Sequence, residues 1–168
     1  MAEMGTASAF AGHDHDHDHC QSDALDRAVE ICAKRGARLT DLRCQVLQLI
    51  WAGHKPLGAY EILASLKESR GNAAPPTVYR ALDFLLNHGL IHRIESLNAY
   101  VGCATPELAH GGQFLICRTC GATAELNDHR IDAAISERSA AAGFRIESCT
   151  IEVDGICPHC QKTNEPAA

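Results

Sequence analysis

No stretch of the 168-residue sequence approaches the ~18 consecutive apolar residues of a membrane-spanning helix. Its start, MAEMGTASAFAGHDHDHDHC, lacks the basic n-region and unbroken apolar h-region of an export signal. No nucleophile constellation, phosphate-binding glycine loop or open metal position is visible, so a small-molecule substrate and an enzyme are not expected. These absences predict a cytoplasmic protein with no membrane partner. A positive charge balance is missing too: the net charge is −6, the wrong sign for a nucleic-acid binder. Resolved by segment, residues 1–22 carry −4, residues 23–100 carry +2 and residues 101–168 carry −4. Any DNA partner is therefore assigned to the middle segment.

What the chain does have is a globular apolar fraction of 46% and nine cysteines. In an unexported protein, thiols bind metal or fill core rather than pair as disulfides, and an odd number points the same way. Residues 1–21 contain Gly, Ala, Ser and a His-Asp alternation over His13–His19, with little to bury, which predicts a disordered tail. From Ser22 to Arg35 the apolar residues fall at helical spacing, ended by Gly36. Thr40 is placed to cap a second helix running to Gly53, and a third spans about Gly58 to Arg70. Pro75 and Pro76 open a fourth, which continues to Gly89. Two extended runs, Leu90–Glu95 and Ala99–Cys103, flank the turn Ser96-Leu97-Asn98.

Short helices followed by a hairpin give the order of a winged helix-turn-helix, over residues 22–104. Residues 105–112 read as a hinge. Beyond it, Gln113–Cys117 and Ala122–Leu126 read as strands, Asp128–Ala142 as a helix and Phe144–Val153 as a long strand, within a domain spanning 113–162. Residues 163–168 read as a disordered C-terminus. The fold class is α+β: an N-terminal winged helix and a small α/β domain. That second core is too small to stand comfortably without a staple and a partner chain.

The staple is legible. Cys117-Arg-Thr-Cys120 and Cys157-Pro-His-Cys160 are two CxxC turns separated by 36 residues, and together they supply a tetrahedral thiolate site for zinc. A redox pair is disfavoured because there are two such turns and neither is expected to open a helix after a strand. Four protein ligands leave no place for substrate, so the site is structural.

In the fourth helix, Thr77, Tyr79 and Arg80 near the N-terminus have the composition of a base-reading surface. Arg80 can donate to guanine and Tyr79 can pack on a thymine methyl. Arg38, Arg43 and Arg93 are candidate phosphate contacts, and each could equally be a solvated charge. The run His13–His19 offers a weak extra site for zinc or nickel, or is simply a polar tail. Cys32, Cys44 and Cys149 fit core positions.

The segments Ala37-Arg38-Leu39-Thr40, TVYRALDFL from Thr77 to Leu85, Ile91–Ser96, Asn98–Val101 and Phe114–Gly121 resemble the ferric uptake regulator family of bacterial metal-responsive repressors, and within it the zinc-uptake branch. The resemblance covers about residues 23–162. It implies a homodimer that binds a palindromic DNA operator, an α/β dimerisation domain, and repression when metal is bound. It also implies a second, regulatory zinc per subunit on His92, Cys103, His110 and Glu125, and a DNA contact from Tyr60. Two imidazoles, a thiolate and a carboxylate suit zinc better than a hard, oxygen-rich iron or manganese site. Iron-responsive members usually carry a His-rich run before the first CxxC; here it is Glu107-Leu108-Ala109-His110-Gly111-Gly112. Another metal or peroxide responder of the same family differs only at this site, and a zinc storage or delivery protein needs neither TVYR nor a wing.

Overall fold

The computed structural model describes residue 10 and residues 17–53, 55–71, 73–107 and 111–163. Its contacts divide the chain into two compact units, residues 13–108 and residues 1–12 with 109–168.

The first unit holds α1 (His17–Lys34), α2 (Asp41–Trp51), β1 (Leu57–Gly58), α3 (Ala59–Arg70), α4 (Pro75–Asn87), β2 (Ile91–Ile94) and β3 (Ala99–Gly102). Each helix gives an apolar stripe to one core: Ala28, Ile31 and Cys32 from α1, Val46, Leu47 and Ile50 from α2, Ile62, Leu63 and Leu66 from α3, and Val78, Ala81, Leu82 and Leu85 from α4. The hairpin β2–β3 closes the unit, with β1 added on the outer side of β3 in the order β1-β3-β2, all antiparallel. Four helices and a winged hairpin are thus in the expected order.

Several local expectations change. The helix α1 begins at His17, inside the segment 1–21 read as a tail. Thr40 sits at the N-cap of α2 in extended backbone, but its side chain makes no capping bond. The cap of α3 is instead the Glu61 carboxylate, which accepts from the Gly58 N–H at 2.8 Å. Pro75 and Pro76 occupy the first turn of α4 as expected. Its end is set by Gly89 at φ +66°, which lets the Leu90 N–H reach back to the Leu85 carbonyl at 3.0 Å.

In the second unit, β4 (Gly112–Cys117) is the central strand of three, antiparallel to β5 (Thr123–Leu126) and parallel to β6 (Thr150–Gly155), with α5 (His129–Ala141) as the crossover. A short α6 (Pro158–Thr163) follows. The long strand expected over Phe144–Val153 is only half realised. Its parallel partner starts at Gly112, so pairing begins at Thr150 opposite it, and residues 144–149 join α5 to the strand as irregular chain. Cys149 lies just before the strand, half-buried rather than core. The helix α5 buries no residue completely, while Phe144, Val153 and Ile156 are exposed. Phe10, within the segment read as having little to bury, packs against the cysteines of this unit.

Candidate metal centres and nucleic-acid face

In the second unit, Cys117 ends β4, Cys120 closes the turn after it, and Cys157 and Cys160 lie at the start of α6. Their four sulfurs all lie within 4.8 Å of one another. The Cys120 and Cys157 Sγ atoms are 3.8 Å apart, and a tetrahedron with Zn–S bonds of ~2.3 Å has edges of ~3.8 Å. The donor chemistry fits as well. The Cys157 N–H lies 3.3 Å from Cys117 Sγ, and that bond is the main reason the Cys117 thiol is lowered to about 6. Cys160 is pushed up to about 12 by burial and by the neighbouring thiols. A metal-free cluster can therefore hold a thiolate at one end but keeps a proton at the other, and a divalent cation resolves the conflict. The second CxxC does open a short helix after a strand, against expectation. The convergence of both pairs, rather than their local setting, is what excludes a lone redox motif.

The other expected ligands lie as follows. His92 is half-buried on β2 and Cys103 is buried just beyond β3. The register pairs His92 with Val101, so Cys103 stands diagonally beside His92 on one face of the hairpin. The structure brings their ligand atoms within 4.8 Å. Cys103 is well anchored, its N–H bonded to the Leu90 carbonyl at 3.1 Å. Glu125 lies half-buried on β5 of the second unit, opposite Phe114. His110 lies outside the described residues.

The face of α4 opposite the core carries Tyr79 and Arg80, with Asp83 a turn further on, all exposed; Thr77 is half-buried beside them. Arg80 Nε donates to the Pro76 carbonyl at 3.3 Å, which aims the side chain toward the start of the helix. On α3, Tyr60 is 79% exposed, far more than a ring at a packing position. Arg38 is exposed. Arg93 is exposed but tied into the wing turn, donating to Asn98 Oδ1 at 2.9 Å and pairing with Glu95 at 3.4 Å. Arg43, expected as a phosphate contact or a solvated charge, has its guanidinium donating to the Arg38 carbonyl at 2.5 Å and lying over the Phe84 ring.

Three contributors carried no sequence signal strong enough to be singled out. Arg27 Nη1 donates to the Ala104 carbonyl at 2.9 Å, one residue past Cys103. Trp51 lies against Gly102, one residue before it. Gln113, 2% exposed, donates to Asp132 Oδ1 and the Asp128 carbonyl. The sole tryptophan at a helix end and a glutamine inside an apolar strand were the only hints.

A model of the ferric uptake regulator family matches residues 34–154. The zinc uptake regulation protein of Escherichia coli (strain K12) is 39% identical over 139 residues, covering 82% of this chain and 81% of that protein. Among solved structures, a zinc uptake regulator complexed with zinc and DNA matches with a TM-score of 0.83 at 37% identity, over 87% of this chain and 98% of the other. A crystal structure of holo XcZur matches with a TM-score of 0.77 at 43% identity, over 84% of this chain and 99% of the other.

Proposed function

The chain belongs to the ferric uptake regulator family, and from that premise we propose that it is a zinc-responsive transcriptional repressor, a cytoplasmic homodimer that binds palindromic operator DNA when loaded with zinc and controls zinc uptake genes. The observation that carries this reading is the His92–Cys103 pair on the wing hairpin. An imidazole beside a buried thiol begins a borderline-soft ligand set on the same unit that presents Tyr79 and Arg80. The names of the relatives, which speak of zinc uptake regulation and of a complex with zinc and DNA, support it.

Each subunit takes two zinc ions. Cys117, Cys120, Cys157 and Cys160 hold the structural one, which has no open position and hence no catalytic role. His92, Cys103, His110 and Glu125 hold the regulatory one. Residues 22–104 read DNA, 105–112 act as a hinge and 113–162 dimerise. The ligand set draws on both domains and the hinge, so occupancy biases the dimer toward forms whose two reading helices meet successive major grooves. A coupling typical of allostery changes operator affinity by about 5- to 150-fold. Arg80, Tyr79, Thr77 and Tyr60 read bases, while Arg38 and Arg93 face phosphates. The edge strand β6, with Val153 exposed on it and Phe144 and Ile156 exposed before and after it, supports dimerisation through the second unit.

The test is a gel shift on an operator at buffered free zinc, iron or manganese, comparing wild type with Cys103→Ser. Zinc-dependent retention by the wild type and its loss in a mutant that keeps its dimer are expected. An equal response of both proteins to zinc, or a wild type that answers only to iron or manganese, overturns the assignment.

A further inference from the structure

Cys103 is held on both sides by groups that touch neither metal nor DNA in the reading above. On one side is Gly102, paired with Ile91 across the hairpin. A Cβ built on Gly102 would overlap Cε2, Nε1 and Cζ2 of Trp51, so the indole lies directly against the Cα of the residue preceding Cys103. Only glycine permits that approach. On the other side the Ala104 carbonyl accepts from Arg27 Nη1 at 2.9 Å, a bond from α1 across 77 residues of sequence. The Cys103 N–H is meanwhile fixed to the Leu90 carbonyl. Three successive residues at the end of the wing are thus pinned to three different elements, where the chain would otherwise leave the sheet and fray.

We propose that Trp51 and Arg27 are positioning residues for the regulatory metal, clamping residues 102–104 so that the Cys103 thiolate is presented beside the His92 imidazole before any cation arrives. This rests on the reading of Cys103 as a zinc ligand. Preorganisation of this kind is what groups behind the ligands contribute, and their loss costs about 10- to 100-fold in metal affinity. Trp51 also ends α2, whose Val46, Leu47 and Ile50 share a core with Leu82 and Leu85 of the reading helix α4. The clamp therefore fastens the ligand to the body that carries the base-reading side chains.

The experiment uses the full-length dimer with its structural zinc in place and cobalt(II) as probe, read by the thiolate-to-cobalt charge-transfer band and by emission of Trp51, the sole tryptophan. Gly102→Ala pushes against the indole and is expected to weaken cobalt binding by about 10- to 100-fold and to alter the band. The double variant Gly102→Ala/Trp51→Leu makes room for the new methyl group but lacks the indole, so it is expected to bind cobalt no more tightly than Gly102→Ala. Arg27→Ala, which adds no bulk, provides the second route should Gly102→Ala fold poorly, and is expected to weaken binding while leaving the helical signal unchanged. Wild-type affinity and band in both Gly102→Ala and Arg27→Ala overturn the clamp but leave the ligand reading standing. Recovery of wild-type affinity by the double variant, which has no indole, removes Trp51 from it. A Cys103→Ser protein that keeps the full charge-transfer band removes the ligand itself, and the clamp with it.

Discussion

The guanidinium of Arg43 on α2 sits over the Phe84 ring of α4, 3.5 Å from its centroid, and the same Phe84 stacks with His88 at a centroid distance of 4.0 Å. A cation held over an aromatic face contributes about 0.5–1 kcal/mol at such sites, and more where water is excluded. With a second donor on the Arg38 carbonyl, this arginine ties two helices together. Arg80, on the exposed side of α4, donates to its own helix at the Pro76 carbonyl. Arg43→Ala is therefore expected to lower thermal stability by about 1 kcal/mol while leaving the salt dependence of operator binding unchanged. Arg80→Ala should leave stability within about 0.5 kcal/mol and cost about 1–3 kcal/mol in specific binding. Melting curves and salt-series titrations of the two variants separate these outcomes; a reduced salt slope in Arg43→Ala would return it to the phosphate contacts.

Removal of the structural metal should act on one unit and spare the other. The four thiols lie outside the core formed by α1 to α4, which has its own buried apolar residues. Strong chelation is expected to abolish dimerisation and unfold the second unit while most helical signal persists, as read by sizing and circular dichroism together. Uptake should also depend on pH in a definite direction. Without metal, Cys117 is lowered to about 6 and is a thiolate at neutral pH, whereas Cys160, pushed up to about 12, keeps its proton. Zinc must displace that proton, so affinity rises with pH through the neutral range. Below about pH 6 the Cys117 sulfur is protonated as well, and affinity falls more steeply. A competition titration from about pH 5.5 to 8 that finds no slope would contradict this proton inventory.

How much of this was legible follows from which signals are local. The two CxxC turns, the Pro75-Pro76 helix start and the apolar stripes of α2 and α4 are written in short windows, and the structure places them as read. The failures are at places where a distant partner decides. Strand β6 starts at Thr150 because Gly112 begins its neighbour, a fact that the alternation from Phe144 onward does not contain. Arg43 looks like any surface arginine until Phe84, 41 positions away, arrives beneath it. Of the regulatory ligands, His92 and Cys103 are neighbours only through hairpin register, which spacing alone hinted at but the family resemblance named. Trp51 and Arg27 left no trace in their own segments, since each acts on the chain around Cys103.

Gln113 is the buried polar residue that the sequence gives no reason to expect inside the apolar strand β4. Its amide donates at 2.8 Å to Asp132 Oδ1 and at 3.1 Å to the Asp128 carbonyl, fastening the start of α5 to the sheet. Truncation leaves a partly buried carboxylate and a carbonyl without that donor, at a cost of about 1–3 kcal/mol. Gln113→Ala should accordingly lower the denaturant midpoint of the second unit without changing its bound zinc. Gln113→Leu keeps the volume and should do no better, because the missing element is the donor. A leucine variant as stable as the wild type would show that packing, and not the amide, holds α5 in place.

The edge of the second sheet sets the last expectation. β6 lies at one end of the order β5-β4-β6, so one side of its backbone is paired with β4 and the other is available to a second chain. Val153 on that strand is 47% exposed and Phe144 is 67% exposed. The strand Thr150–Gly155 has no proline or lysine, and its exposed Val153 flanks an edge able to take a further strand, which suits a partner chain. Val153→Glu places a charge where the partner must close over it, and burial of an unpaired carboxylate costs several kcal/mol. The variant should run as a monomer by light scattering, retain its structural zinc, since Val153 is not among the thiols, and bind a single half-site far more weakly than the dimer binds the full operator. A Val153→Glu protein that remains dimeric at low micromolar concentration would move the interface away from β6 and onto α5, whose exposed face is the other unburied surface of this unit.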